Sequence, residues 1–239
     1  MPVGLDSVGP DANGAGGWTV TGATWSHTCS GSDRLLVVQA TVGGNGISNV
    51  ITSITYNGVG LTKVLERNCN DPNTDGYTSI WILINPDSGA HDVVVTLAGT
   101  YDLECGSTSF TGVDQTTPYV SAHNAMSSGS ESVTPSLSVS STTGNMVVGS
   151  FGRGSTLIGT FSGWTTRWLK NVNIWTAGGN GAGGTANGAS TVDISYSDTG
   201  DGWAFVALDL LAASGTIDNT PKPASLGQFD PEMRLDAWF

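Results

Sequence analysis

The chain has 239 residues, a formal net charge of −12 and only 8 Lys and Arg residues. With no clustered cations to neutralise phosphates, it is excluded as a nucleic-acid binder and disfavoured at an anionic membrane surface. The 34 glycines, many Ser and Thr and few Lys, Arg and Glu favour strand and turn over helix.

In chain order, residues 1–16 read as an N-terminal arm, and "DSVGPDANGAGG" (6–17) as a second candidate contact with a partner. The opening residues lack the basic region and apolar stretch of a secretory signal. No apolar run approaches the roughly 20 residues that a membrane-spanning helix needs. The expectation is assembly in a cytosol, with any exit by lysis.

Period-two alternation then marks one strand after another. The first half holds "GWTVTGATW" (17–25), "DRLLVVQATV" (33–42), "ITSITYNG" (51–58), "YTSIWILIN" (77–85), "HDVVVTLAG" (91–99) and "ECGSTSFTGV" (104–113). The second holds "SLSVSS" (136–141), "GNMVVGSFG" (144–152), "GWTTRWLK" (163–170), "NVNIWTA" (171–177), "STVDISYS" (190–197) and "GWAFVALDLLA" (202–212). The Asn-Gly of "YNGVGL" (56–61) signals a tight hairpin. "GGNGAGGTANG" (178–188) reads as a flexible loop, because it lies between strands and has no Lys to hold a phosphate. The fold class expected is all-β, a jelly-roll-like antiparallel sandwich over 1–214.

A faint internal repeat pairs 23–114 with 136–212. "SGSDRLLVVQATV" matches "STTGNMVVGSFGRG", "YNGVGLTKVLERN" matches "FSGWTTRWLKNVN", and Trp81 falls opposite Trp175. The joint is the polar stretch 114–135. Two Greek-key halves packed into one body make a jelly roll. Beyond 214 comes a Pro-containing linker and then "FDPEMRLDAWF" (229–239). Asp230 followed by Pro231 is a helix start, so a short helix is expected there. Its apolar residues Phe229, Met233, Leu235, Trp238 and Phe239 need a surface. That surface is either the chain's own domain or, the reading preferred here, a partner.

Residues that carry chemistry are sparse. Cys29, Cys69 and Cys105 match no zinc spacing. They are three reduced thiols, or one disulfide with a leftover thiol, Cys69 then being the candidate for cross-linking to another chain. His27, His91 and His123 form no metal-hydrolase motif. Asp102 and Glu104 are the one carboxylate pair spaced to share a strand face, as a glycosidase would need. Most of the Trp side chains are expected in the core; beside that reading, Trp175 and Trp203, near Asp198 and Asp201, are candidate glycan contacts. "CNDPNTDG" (69–76) begins like a calcium loop, but its twelfth position is Ile82 and not Glu. Asp71, Asn73 and Asp75 stay candidate Ca²⁺ ligands beside the plainer reading of a polar loop. No other cofactor is expected.

The string "SGSDRLLVVQATV … VITSITYNGVGLTKV … TSIWILINPDSGAHDVVVTLAG … SFTGVDQTTP" is similar to jelly-roll, lectin-like domains of tailed-bacteriophage virion proteins and some bacterial surface proteins. The resemblance covers about 23–118, and "FDPEMRLDAWF" is similar to short C-terminal segments of phage structural proteins. It implies a non-enzymatic virion protein of the capsid-decoration, collar or fibre type. Such a protein is a homo-oligomer, localised to the virion and bound to capsid, neck or tail proteins. A carbohydrate-binding module for host-surface glycans is the alternative function, and a glycan-degrading sandwich enzyme the third.

Overall fold

Residues 1–69, 75–130, 133–154, 157, 159–172 and 179–214 are described by the computed structural model. The first half contains β1 (Gly4–Gly9), β2 (Ala15–Cys29), β3 (Leu35–Gly43), β4 (Ile51–Tyr56), β5 (Val59–Gly60), β6 (Thr62–Asn68), β7 (Tyr77–Ile84) and β8 (Gly89–Thr111). A 3₁₀ turn at Ser121–His123 leads to the second half. That half contains β9 (Ala125–Gly129), β10 (Ser136–Ser140), β11 (Met146–Arg153), β12 (Phe161–Ser162), β13 (Thr165–Asn171), β14 (Asn180–Asn187), β15 (Thr191–Tyr196) and β16 (Trp203–Leu210). The ladders between these strands are all antiparallel, so the molecule is an all-β, jelly-roll-like sandwich, as its composition predicts.

Burial follows the residue pattern. β10 and β15 alternate, with Leu137, Val139, Val192 and Ile194 inside and the residues between them outside. One of their faces is therefore wet. β3, β11 and β16 are buried at every position. They are the central strands, covered on both faces, and their sequences are accordingly runs of apolar and small residues.

β2 and β8 each serve two sheets. Residues 93–97 of β8 pair with β4 and with 22–25 of β2, whereas 102–110 pair with β3 and 107–111 with β1. The register of β2 shifts between Gly17 and Val20 and again between Val20 and Gly22, which turns the strand from one layer into the next. The inner layer runs β6-β7-β3-β8-β1; the outer layer runs β5-β4-β8-β2. Leu36, Val38, Tyr56, Trp81, Val93 and Val95 pack between them.

The second half repeats this order. Its inner layer is β13-β14-β11-β16-β9 and its outer layer β10-β15-β12, with Val139, Phe151, Ile194 and Phe205 packed between. The two inner layers face each other. Leu35, Val37, Ile80 and Phe110 meet Met146, Val148, Val206 and Leu208 in a third core. The packing is reciprocal, β7 lying against β16 and β14 against β8. Thr41 and Gly152 hold equivalent positions by register and face each other, since a Cβ on Gly152 would stand 2.6 Å from the Thr41 side chain. The two halves are thus related by an approximate two-fold axis, like the protomers of a symmetric dimer.

This arrangement carries the repeat and corrects its details. β3 matches β11, and β6 matches β13, with bulges at equivalent places, between Lys63 and Leu65 and between Thr166 and Trp168. The match of Trp81 with Trp175 does not hold. Trp81 pairs with Val38 and Lys63, and the residue with the equivalent pairs, Gly149 and Thr166, is Gly184. The expected loop 178–188 is largely β14, an interior strand. Its glycines make room for large neighbours. A Cβ on Gly183 would meet Trp168 at 2.2 Å, and one on Gly184 would meet Trp164 at 2.5 Å. Two further expectations are corrected: Gly4–Gly9 of the arm is β1, and Ala125–Gly129 of the joint is β9, paired with β8 and β16 respectively.

Candidate functional site

Ionisable side chains inside the body are the first place to look for chemistry. His27, on β2, is almost fully buried. Its Nδ1 lies 2.8 Å from Ser107 Oγ, which also accepts from Trp25 Nε1 at 2.9 Å and lies 3.3 Å from the Gly9 carbonyl. Asp6 is close enough to act on the ring electrostatically but is held by Ser30 and Ser109. Burial pushes the His27 pKa down to about 4, against the opposing pull of Asp6. Serine, histidine and aspartate are therefore neighbours without forming a catalytic triad. The ring's Nε2 is buried with no partner. The cluster ties β1, β2 and β8 together.

The second half has its own polar knot. Asp209, fully buried on β16, accepts from Ser141 Oγ at 2.6 Å and Asn145 Nδ2 at 2.9 Å, and lies 2.9 Å from His123 Nδ1. The buried carboxylate is satisfied by three side chains from two segments, the 3₁₀ turn and the β10–β11 turn, which fixes both against β16.

Asp102 and Glu104 are on one face of β8, as their spacing predicts, but both are buried. Both Glu104 carboxyl oxygens lack a hydrogen-bond partner. Burial first, and then the neighbouring Asp102, holds the Glu104 pKa well above the usual carboxylate range, with Lys170 acting in the opposite direction. Asp102 Oδ1 accepts from the Thr19 backbone N–H at 3.2 Å. Two carboxyls enclosed in this way do not flank a space for a sugar ring.

The other sequence-predicted positions separate. Trp203 is 2% exposed, donates from Nε1 to the Val133 carbonyl at 3.0 Å and stacks on Phe151. It is a core residue, the placement preferred for most of the Trp side chains, and this removes it as a candidate glycan contact. Asp198 pairs with Arg153 at 3.0 Å, and Asp201 Oδ1 accepts from the Gly202 N–H. Trp175 lies outside the described residues, as do Asp71 and Asn73. Asp75 forms an isolated bridge with Ile47. Among the described residues no group of three or more His, Cys, Asp or Glu is placed to hold a metal ion. Cys29, Cys69 and Cys105 are free and buried, which agrees with the reading of three reduced thiols and not with the alternative of one disulfide. Cys69 is not the accessible thiol that a polar loop would present; burial raises its pKa beyond the ordinary thiol range. The anchor residues Phe229, Met233, Leu235, Trp238 and Phe239 lie outside the described residues.

Two surface features were not read from the sequence. Trp18 is 69% exposed, at the corner where β2 changes layers. Thr19 beside it has φ 58°, the left-handed region that a β-branched residue rarely adopts, and its N–H is the one held by Asp102. The signal in the sequence was Gly16-Gly17 before the Trp, a break in strand alternation. The second feature is a groove of about 800 Å³ between β7 and residues 116–121, lined by Ile82, Leu83, Ile84, Pro118, Tyr119 and Val120 among others.

Comparison with protein-family models, curated proteins and solved structures finds no match to this chain.

Proposed function

We propose that the protein is a non-enzymatic structural component of a phage virion, of the capsid-decoration, collar or fibre type. Its double sandwich faces outward, and residues 229–239 attach it to other virion proteins. The observation that carries this reading is the placement of ionisable groups. Glu104, His27 and Asp209 are enclosed in the body, while the surface offers contact features, the apolar groove and Trp18. Chemistry inside and contact area outside is the pattern of a scaffold. The likeness of 23–118 to virion jelly rolls supports the same assignment, as does a continuous β body with few charged residues. Replacing Trp238 and Phe239 by Ser in the full chain is expected to leave the body folded, by circular dichroism, and to reduce incorporation into particles at least tenfold. Unchanged incorporation overturns the attachment role.

A second reading, carbohydrate binding, is favoured by Trp18. An exposed indole on a pinned backbone is suited to stacking on a sugar face, the role for which Trp203 was a candidate. Trp18→Ala is expected to change stability by less than about 0.5 kcal/mol. On this reading it abolishes retention on a host-surface glycan array. Equal retention of both proteins, or none by either, rejects the reading.

A further inference from the structure

We propose that the groove between β7 and residues 116–121 is the seat of residues 229–239 of the same chain in the free protein. This rests on the reading of 229–239 as the attachment segment, and adds where its apolar side chains sit before a particle is joined. Three observations converge on the groove. Its floor continues the central core outward: Ile82 belongs to that core, Tyr119 and Ala212 pack at its margin, and Ile84 is 40% exposed. Its wall is preformed. Asp114 Oδ1 accepts from the N–H groups of Thr116 and Thr117, both at 2.9 Å, and Gln115 Nε2 donates to the carbonyls of Val113 and Arg34. A groove that needs no reorganisation binds at lower entropic cost.

The third observation is where the chain goes next. Leu211 donates its N–H to the carbonyl of Pro118, a groove residue, and Ala213 donates to that of Gly112. Ser214 is three residues past Leu211, within about 10 Å along the chain. A flexible chain of 14 residues, the number in 215–228, spans roughly 20 Å between its ends. That places 229–239 near the groove at an effective concentration on the order of millimolar. Chemistry agrees with proximity. The segment offers Phe229, Met233, Leu235, Trp238 and Phe239, and no residue lining the groove is charged; the Asp114 carboxylate in its wall is taken up by the Thr116 and Thr117 N–H groups. Seated there, the apolar side chains are withheld from unspecific association. On the particle they exchange the groove for their partner.

Hydrogen exchange on the purified full-length chain, without particles, tests this. Slow exchange is expected in both 231–239 and 116–121, independent of protein concentration. Ile84→Glu, at the half-exposed end of β7, and the double Trp238→Ser, Phe239→Ser variant should each speed exchange in both segments by tenfold or more. Unprotected 231–239 in the unaltered chain overturns the proposal, as does protection that survives Ile84→Glu. Protection that grows with concentration, together with dimers in sedimentation, also overturns it and assigns the groove to a second copy. Particle incorporation is a separate readout, so a free segment that still joins particles sinks this proposal and leaves the attachment reading standing.

Discussion

Glu104 shows what one residue contributes to the account. Its place on the same face of β8 as Asp102 follows from period two alone, but its meaning depends on what covers it. Thr41 and Gly181 approach it from the two inner layers, so it lies between the halves, where an unpaired carboxylate is costly. The folded-state pKa is raised above the unfolded value, so the folded form holds its proton more tightly. The penalty is absent below about pH 4, grows as pH rises above the unfolded pKa, and levels off once the folded pKa is passed. Glu104→Gln cannot ionise. We expect it to match the unaltered protein in urea midpoint near pH 4 and to exceed it increasingly towards pH 8. A variant that falls increasingly below the unaltered protein from pH 4 towards pH 8 shows a charged, partnered Glu104 and contradicts this placement.

Strand β14 carries the lesson at the scale of the element. Most strands were legible because alternation in a half-wet sheet is a local property, as in β10 and β15. β14, "NGAGGTAN", has no alternation to read, because the volume that belongs on its faces is supplied by Trp168 of the neighbouring β13 and by Trp164 just before it. Glycine here records close approach, which only the neighbours reveal. The same limit hid the fate of Trp203, whose exposure depends on Phe151 across the sheet, and that of β1, a short strand whose partner is about a hundred residues away. Of the candidate site, the residue types were legible and their accessibility was not. If the glycines exist to admit the indoles, Gly184→Ala alone should cost about 1–3 kcal/mol through overpacking. In a Trp164→Ala background the same change should cost less than about 0.5 kcal/mol, as a double-mutant cycle measures it. Additive losses would show that Trp164 is not the reason for the glycine.

The whole molecule is two similar sandwiches whose inner layers bury each other. Each inner layer is packed on both faces, with Trp168 fully buried between the halves and its Nε1 donating to Gln39 Oε1 at 3.1 Å. Separating the halves would expose Leu35, Val37, Val148, Val206 and Leu208 together, so neither half is equipped to stand alone. The product is a β body whose buried His27 and Asp209 tie strands together and whose contact features lie at a corner and in a groove. The function proposed for such a body is display and attachment within an assembly. The most direct test is sedimentation of native lysate from producing cells through a density gradient, followed by detection of the unaltered chain. The account predicts that the chain runs with large, DNA-containing particles. Recovery of all of it with free soluble protein, in a lysate whose particles are intact, would contradict the account.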